Sequence, residues 1–121
     1  MKVENDFTKN NHYELVSQEE NKVVLKAEIT ETAMNFYGIC HGAFIFGLGD
    51  TAMGIAAYNT GKKAITLTSN ISYLKAGKGK FLTAEGILTK VGKNICFAEA
   101  KIYDDEKNLI ATMTGNYYFI D

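Results

Sequence analysis

The chain has 121 residues, 46% of them hydrophobic and 22% charged, and thirteen Lys and Arg against fourteen Asp and Glu leave a net charge of -1. That is chain enough for one domain over 1–121 and not for two, and the balance of charge carries no footprint for nucleic acid. No uncharged apolar run approaches the roughly 18 residues that span a membrane, and the opening MKVENDFTKNNHYE lacks the apolar core of a signal peptide, so a cytoplasmic protein without a membrane partner is expected.

Residues 1–11 are polar and read as a loose end or a short helix. Residues 12–19 alternate weakly, as an edge strand does, and Asn21 makes a turn. Val23, Leu25, Ala27 and Ile29 then alternate with Val24, Lys26, Glu28 and Thr30, a strand with one wet face. A loop over 31–41 leads into GAFIFGLGDTAMGIAAYNTG, residues 42–61, which is too long for a typical strand. Its apolar residues lie all around a helical wheel, so the segment predicts a helix buried on every side, with Gly61 as its C-cap. Gly47, Gly49 and Gly54 each cost about 1 kcal/mol relative to Ala inside a helix, so close packing against a sheet or a ligand is expected there.

Beyond the helix the pattern is β throughout. Residues 63–75 set Ile65, Leu67, Ile71 and Tyr73 on one face and Thr66, Thr68, Asn70 and Ser72 on the other. KAGKGK over 75–80 is a turn, 81–91 and 94–103 form a hairpin across Gly92-Lys93, 104–108 is a second turn, and 109–120 is the last strand, with Leu109, Ala111, Met113, Tyr117 and Phe119 on one side. The order ββαββββ predicts an α+β domain in which a long antiparallel sheet wraps around one helix.

Asp50 is the residue that does not fit this pattern. It sits near the middle of the apolar helix, where an unpaired carboxylate costs several kcal/mol of desolvation. Its neighbours at three and four residues are Phe46, Gly47, Met53 and Gly54, so no local salt bridge is available. It is either a structural Asp with a distant partner or a catalytic carboxylate in a cleft. His41-Gly42 opens the same helix, where free N–H groups and the dipole suit an anion or a developing oxyanion. The plainer alternative is a loop residue or cap. Gly42 and Asp50 are roughly 12 Å apart along the axis, too far to act on one carbonyl unless the substrate runs along the helix or a second subunit intervenes. The two cysteines, Cys40 and Cys96, are too few for a secreted disulfide framework and are expected reduced. A Cys40 nucleophile lacks an orienting group. His12 and His41 cannot make a three-histidine zinc site, neither CxxC nor HExxH occurs, and no metal is expected.

The run Asn35-Phe-Tyr-Gly-Ile-Cys-His-Gly-Ala-Phe-Ile-Phe-Gly-Leu-Gly-Asp50-Thr51-Ala52 closely resembles the hotdog-fold acyl-CoA thioesterases of the phenylacetate-degradation (PaaI-like) group, and Ser69-Asn-Ile-Ser-Tyr-Leu-Lys75 resembles the strand that follows their central helix. The likeness covers about residues 23–120. It implies a hotdog fold and hydrolysis of acyl-CoA, with Asp50 as nucleophile or general base and the Gly42 N–H polarising the thioester carbonyl. It also implies that Asn35 and His41 line the site, and that Thr66, or else Thr68, orients a water. Thr51 belongs to the Asp-Thr-Ala triplet, Tyr73 is a candidate for the acyl pocket, and Lys75 and Lys93 are candidates for the coenzyme A phosphates. In such enzymes the site lies between subunits, so a homodimer or a dimer-of-dimers tetramer is expected, with no cofactor beyond the coenzyme A of the substrate. The chain departs from the family in His41-Gly42-Ala43, where His-Gly-Gly is usual, and in Lys75-Ala76, where Arg-Pro is common. A non-catalytic acyl-CoA-binding module and an acyl-thioester hydratase or dehydratase are the alternatives.

Overall fold

Six runs of alternating apolar and polar residues form six strands, and the long apolar segment forms one helix against them. The computed structural model describes residues 4–120. In chain order the elements are α1 (Asp6–Asn10), β1 (Tyr13–Gln18), β2 (Lys22–Glu28), a 3₁₀ turn (Glu31–Ala33), α2 (Gly42–Tyr58), β3 (Lys63–Tyr73), β4 (Phe81–Val91), β5 (Ile95–Asp104) and β6 (Leu109–Ile120). The strands make a single antiparallel sheet in the order β1-β2-β4-β5-β6-β3, so β1 is an edge strand as its weak alternation predicts. β3 is the other edge. Within the polar opening segment, Asn5 and Thr8 cap α1 reciprocally: Asn5 Oδ1 accepts the Thr8 N–H at 3.1 Å and Thr8 Oγ1 accepts the Asn5 N–H at 3.0 Å.

The helix α2 lies across the inner face of the sheet. It buries Phe44, Ile45, Leu48, Ala52, Met53, Ile55, Ala56 and Ala57 against inward rows such as Val23-Leu25-Ala27 and Cys96-Ala98-Ala100-Ile102. Two expectations are corrected. The helix is not buried on every side: Phe46, Gly47, Asp50, Thr51, Gly54 and Tyr58, spaced three or four apart or adjacent, form a half-covered stripe. Its C-cap is Asn59, whose N–H bonds the Ile55 carbonyl at 3.0 Å. Gly61 comes two residues later at φ +92°, where it turns the chain into β3.

The helical glycines divide by what faces them. A Cβ on Gly49 would overlap Met113 Sδ, and one on Gly47 would come within 2.6 Å of Tyr13 Oη. On the sheet side, a Cβ on Gly86 of β4 would meet the Ala52 carbonyl carbon at 2.7 Å. Gly86 therefore sets how closely the helix backbone approaches the sheet. A Cβ on Gly54 would find its nearest neighbour, a Tyr117 ring carbon, at an ordinary 3.8 Å.

The strand β3 departs from plain alternation. Its pairing with β6 slips by one residue, since Thr66 pairs with Tyr117 and Thr68 with Asn116, leaving Leu67 as a bulge. The bulge turns Thr66 inward with Tyr117, and Thr68 outward with Asn116. The single hydroxyl face expected over Thr66, Thr68, Asn70 and Ser72 is thus split at Leu67. Ile65 and Leu67, expected to share a face with Ile71, are 52% and 53% exposed along the edge.

Gly86→Ala is expected to lower stability by about 1–3 kcal/mol, because backbone rather than a side-chain tip occupies the space. Gly54→Ala is expected to leave stability unchanged or to raise it by up to about 1 kcal/mol. Urea unfolding of both variants checks this; equal losses would show that helix approach is not set at Gly86.

Candidate active site

Halfway along α2, the Asp50 carboxylate is held by two hydroxyls rather than by a cation. Tyr117 of β6 donates to Oδ1 at 2.6 Å, and Thr66 of β3 donates to Oδ1 at 3.0 Å, with Oδ2 at 3.3 Å. The two donors are directly paired residues on neighbouring strands, an arrangement that the bulge at Leu67 makes possible. Among the described residues the ion pairs are His12–Glu28 and Lys22–Glu85, and neither involves Asp50. Burial, and then the hydrogen bond to Asp50, push the Tyr117 phenol far above its usual range, so at neutral pH it is a proton donor only. The carboxylate opens on a pocket of about 350 Å³, lined among others by Thr51, Tyr58, Ile65 and Phe7 of α1. Thr51 lines this pocket but spends its hydroxyl on the Gly47 carbonyl at 2.7 Å.

The start of the helix is a second, separate place. His41 is the N-cap: its Nδ1 accepts the Ala43 N–H at 3.1 Å. Gly42 follows as the first helical residue, a position whose N–H has no intrahelical acceptor. Tyr73, at the end of β3, donates to the Gly42 carbonyl at 2.8 Å and with Ile39, Cys40, Ile45 and Lys75 lines a pocket of about 410 Å³ around Gly42. Asn35 orders the loop before it. Its Oδ1 accepts the N–H of Tyr37 at 2.9 Å and of Ile39 at 3.4 Å, which leaves Nδ2 as the group that can address another molecule. Burial pushes the Cys40 thiol up to about 11, which is inertness rather than nucleophilicity.

Of the residues singled out from sequence, the fold gathers Asp50, Thr66 and Thr51 in one pocket and Gly42, Tyr73 and Lys75 in another, with His41 capping the helix beside the second. The two pockets stay about two helical turns apart. Thr68 is turned away from Asp50 and accepts from Asn116 Nδ2 at 3.0 Å on the outer face. Lys75 and Lys93 lie at opposite ends of the sheet: Tyr73 pairs with Ala111 and Ile95 with Tyr118, a separation of roughly 23 Å of strand. One chain cannot bring both lysines to one phosphate. Tyr117 was missed as a site residue, since the last strand's pattern marks it only as inward-facing. The available signal was chemical: a buried phenol needs a partner, and Asp50 needs a donor. Among the described residues no three His, Cys, Asp or Glu side chains gather as a metal site, and no helix is long and apolar enough to cross a membrane.

The raised Cys40 pKa keeps the thiol neutral below pH about 11. Alkylation of Cys40 in the folded protein at pH 8 is therefore expected to run on the order of 100-fold slower than that of a free thiol, rising with pH. Mass spectrometry of iodoacetamide-treated protein checks this, and labelling at the free-thiol rate would contradict it.

Comparison with known proteins bears on both pockets. The family model of the thioesterase superfamily matches residues 37–111, a span that holds Gly42, Asp50, Thr66 and Tyr73. The acyl-coenzyme A thioesterase PaaI of Escherichia coli K12 is 27% identical over 108 residues, covering 88% of this chain and 77% of that protein. The structure of E. coli PaaI superposes with a TM-score of 0.92 over 97% of this chain and 86% of that one, at 24% identity, a likeness of fold. A Streptococcus mutans UA159 protein, solved with acetyl CoA bound, is 30% identical with a TM-score of 0.85, covering 89% of this chain and 88% of that one. The antiparallel sheet around a single long helix is thus the hotdog fold that the sequence resemblance implies, and this chain belongs to the thioesterase superfamily, as a PaaI-like hotdog thioesterase.

Proposed function

We propose that this protein hydrolyses acyl-CoA thioesters to the free acid and coenzyme A, at sites that two copies of the chain complete together. The observation that carries the reading is Asp50: a carboxylate halfway along the central helix, without a counter-cation, oriented by two hydroxyls and open to a pocket. Such a group either attacks the thioester carbonyl carbon, giving a mixed anhydride that water then opens, or takes a proton from the attacking water. In both routes the C–S bond breaks and the sulfur leaves as coenzyme A thiol. Negative charge on the carbonyl oxygen calls for a donor, and the Gly42 N–H at the positive end of α2 supplies one. His41, which precedes Gly42, and Asn35 Nδ2 are the further groups assigned to line the site, and Thr66, which donates to Asp50, is the hydroxyl assigned to orient a water there. Tyr73, Thr51 and Lys75 would contact the substrate. The chain contains no arginine, so contacts with the phosphates fall to lysines. The bound coenzyme A derivative in the Streptococcus mutans relative and the activity named for the E. coli one support this substrate class. No cofactor is needed beyond the coenzyme A of the substrate, and the free, buried Cys40 and Cys96 suit a cytoplasmic protein.

The need for a second copy follows from the two pockets. Asp50 and Gly42 of one chain lie too far apart to act on one carbonyl unless the substrate runs along the helix, and the family resemblance favours Asp50 of one chain facing Gly42 of another. The half-covered stripe of α2 and the open edge of β3, with Ile65 and Leu67 half exposed, offer the surface for that contact, in a dimer or a dimer of dimers.

Thiol release from aryl and fatty acyl-CoAs is expected for the wild type, with a loss of roughly 100-fold or more in Asp50→Asn. Acyl-CoA binding without turnover, or a change in enoyl absorbance without thiol release, would replace this reading by a binding module or a hydratase. Asn35→Asp keeps the two loop hydrogen bonds while removing the Nδ2 donor. If the site is shared, mixing and reassorting inactive Asp50→Asn and Asn35→Asp chains restores about a quarter of wild-type sites in a two-fold dimer. No recovery after demonstrated subunit exchange would place both residues in one chain's site.

A further inference from the structure

We propose that Tyr117 is a positioning residue that ties down Oδ1 of Asp50 and so dedicates Oδ2 to the reaction. The proposal rests on the hydrolytic reading of Asp50 given above. The Tyr117 hydroxyl has a single proton and two oxygens within reach, Asp50 Oδ1 at 2.6 Å and the Asp50 carbonyl at 3.1 Å. The carbonyl belongs to the helix ladder and has its own N–H partner one turn on. The carboxylate oxygen is nearer and charged, so the proton goes there. Thr66 also has one proton, and it leans to Oδ1 at 3.0 Å rather than to Oδ2 at 3.3 Å. Oδ1 therefore takes the Tyr117 donor and the shorter Thr66 contact, while Oδ2, with only the longer Thr66 contact, is the freer oxygen toward the pocket.

The ring is seated so that the hydroxyl has little freedom. Tyr117 is 1% exposed. A Cβ on Gly115 would press one edge of the ring at 3.1 Å, and one on Gly54 would touch the other at 3.8 Å. Space is thus cleared on β6 and on α2 for an aromatic ring with its oxygen at Asp50. Packing alone does not require that oxygen, since the next inward residue of the strand is Phe119. The surroundings supply no competing charge. Tyr117 comes from β6, Cys96 lies near it on β5, and Tyr58 shares the pocket from α2 itself. β3 contributes Ala64, Ile65 and Thr66 to the pocket, and Phe7 and Thr8 of α1 join it with the N-cap Asn5, none of which titrates. β2 and β4 meet the helix with Val23, Leu25, Ala27, Leu82 and Ala84.

Tyr117→Phe keeps the ring and removes the proton. It is expected to lower kcat on the order of 10-fold, with KM within about twofold. The Asp50 carboxyl-carbon signal, identified by its loss in Asp50→Asn, is read by NMR at neutral pH in wild type and in each Tyr117 variant, and it is expected to move when the donor is removed. Tyr117→3-fluorotyrosine, whose hydroxyl is the stronger donor, moves that signal the other way and keeps the test alive if the Phe variant does not fold. The NMR measurement needs no turnover. If the wild type hydrolyses no thioester, the functional reading falls while the carboxyl signal still reports the hydrogen bond. A folded Tyr117 variant in which neither kcat nor the carboxyl signal moves would make Tyr117 a packing residue and overturn the proposal.

Discussion

A negative charge placed in the middle of the one long helix is the constraint around which this fold is arranged. The helix fills the inner face of the sheet, so its side chains are in general apolar, and Asp50 is stable there only if donors reach it from the strands. Those donors are Tyr117 and Thr66, and three features of the chain bring them in. β3 crosses to the far edge to lie beside β6. The bulge at Leu67 restores the inward phase at Thr66 while Ile71 and Tyr73 also face inward. Gly49 and Gly86 let α2 approach the sheet closely, which brings the carboxylate within 2.6 Å of a phenol. Hydroxyl donors, unlike a lysine, orient a carboxylate without neutralising it, so the charge remains available to act.

The same helix carries two chemical characters. Its first turn presents N–H groups and attracts negative charge; its middle presents an acceptor. The two are about two turns apart and open on different pockets. Under the proposed reading, each chain supplies two halves that a second copy would complete, one for the electrophilic carbonyl carbon and one for the emerging oxyanion.

Much of this was legible in the residues. Period-2 alternation marks every strand, and the length and uniform apolarity of 42–61 mark the helix. Asp50 announces itself by being charged in that run, as His41-Gly42 does by opening it. What escaped has physical reasons. A bulge leaves no mark in the alternation until the partner strand is known, so the pattern set Thr66 and Thr68 on one face although they point to opposite faces, and only the family resemblance favoured Thr66. Tyr117 is indistinguishable from a core aromatic in an inward row until the helix is docked opposite. Uniform apolarity suggested burial all round, but the stripe containing Phe46, Asp50 and Gly54 is only half covered within one chain. Lys75 and Lys93 were grouped by charge alone, and only the strand register separates them.

The strand order has a consequence for how the chain reaches this state. β6 does not finish the sheet at an edge; it is inserted between β5 and β3. Until it is made and docked, β3 has no neighbour to pair with, and its row of N–H and C=O groups, together with Ile65 and Leu67, stays open to whatever strand arrives first. The β3–β6 pairing spans some fifty residues of sequence between Thr66 and Tyr117, so its loop-closure cost falls late and slows the final step. Folding of this protein is therefore a contest between its own last strand and foreign strands for one exposed edge, in which low chain concentration during synthesis favours the native outcome.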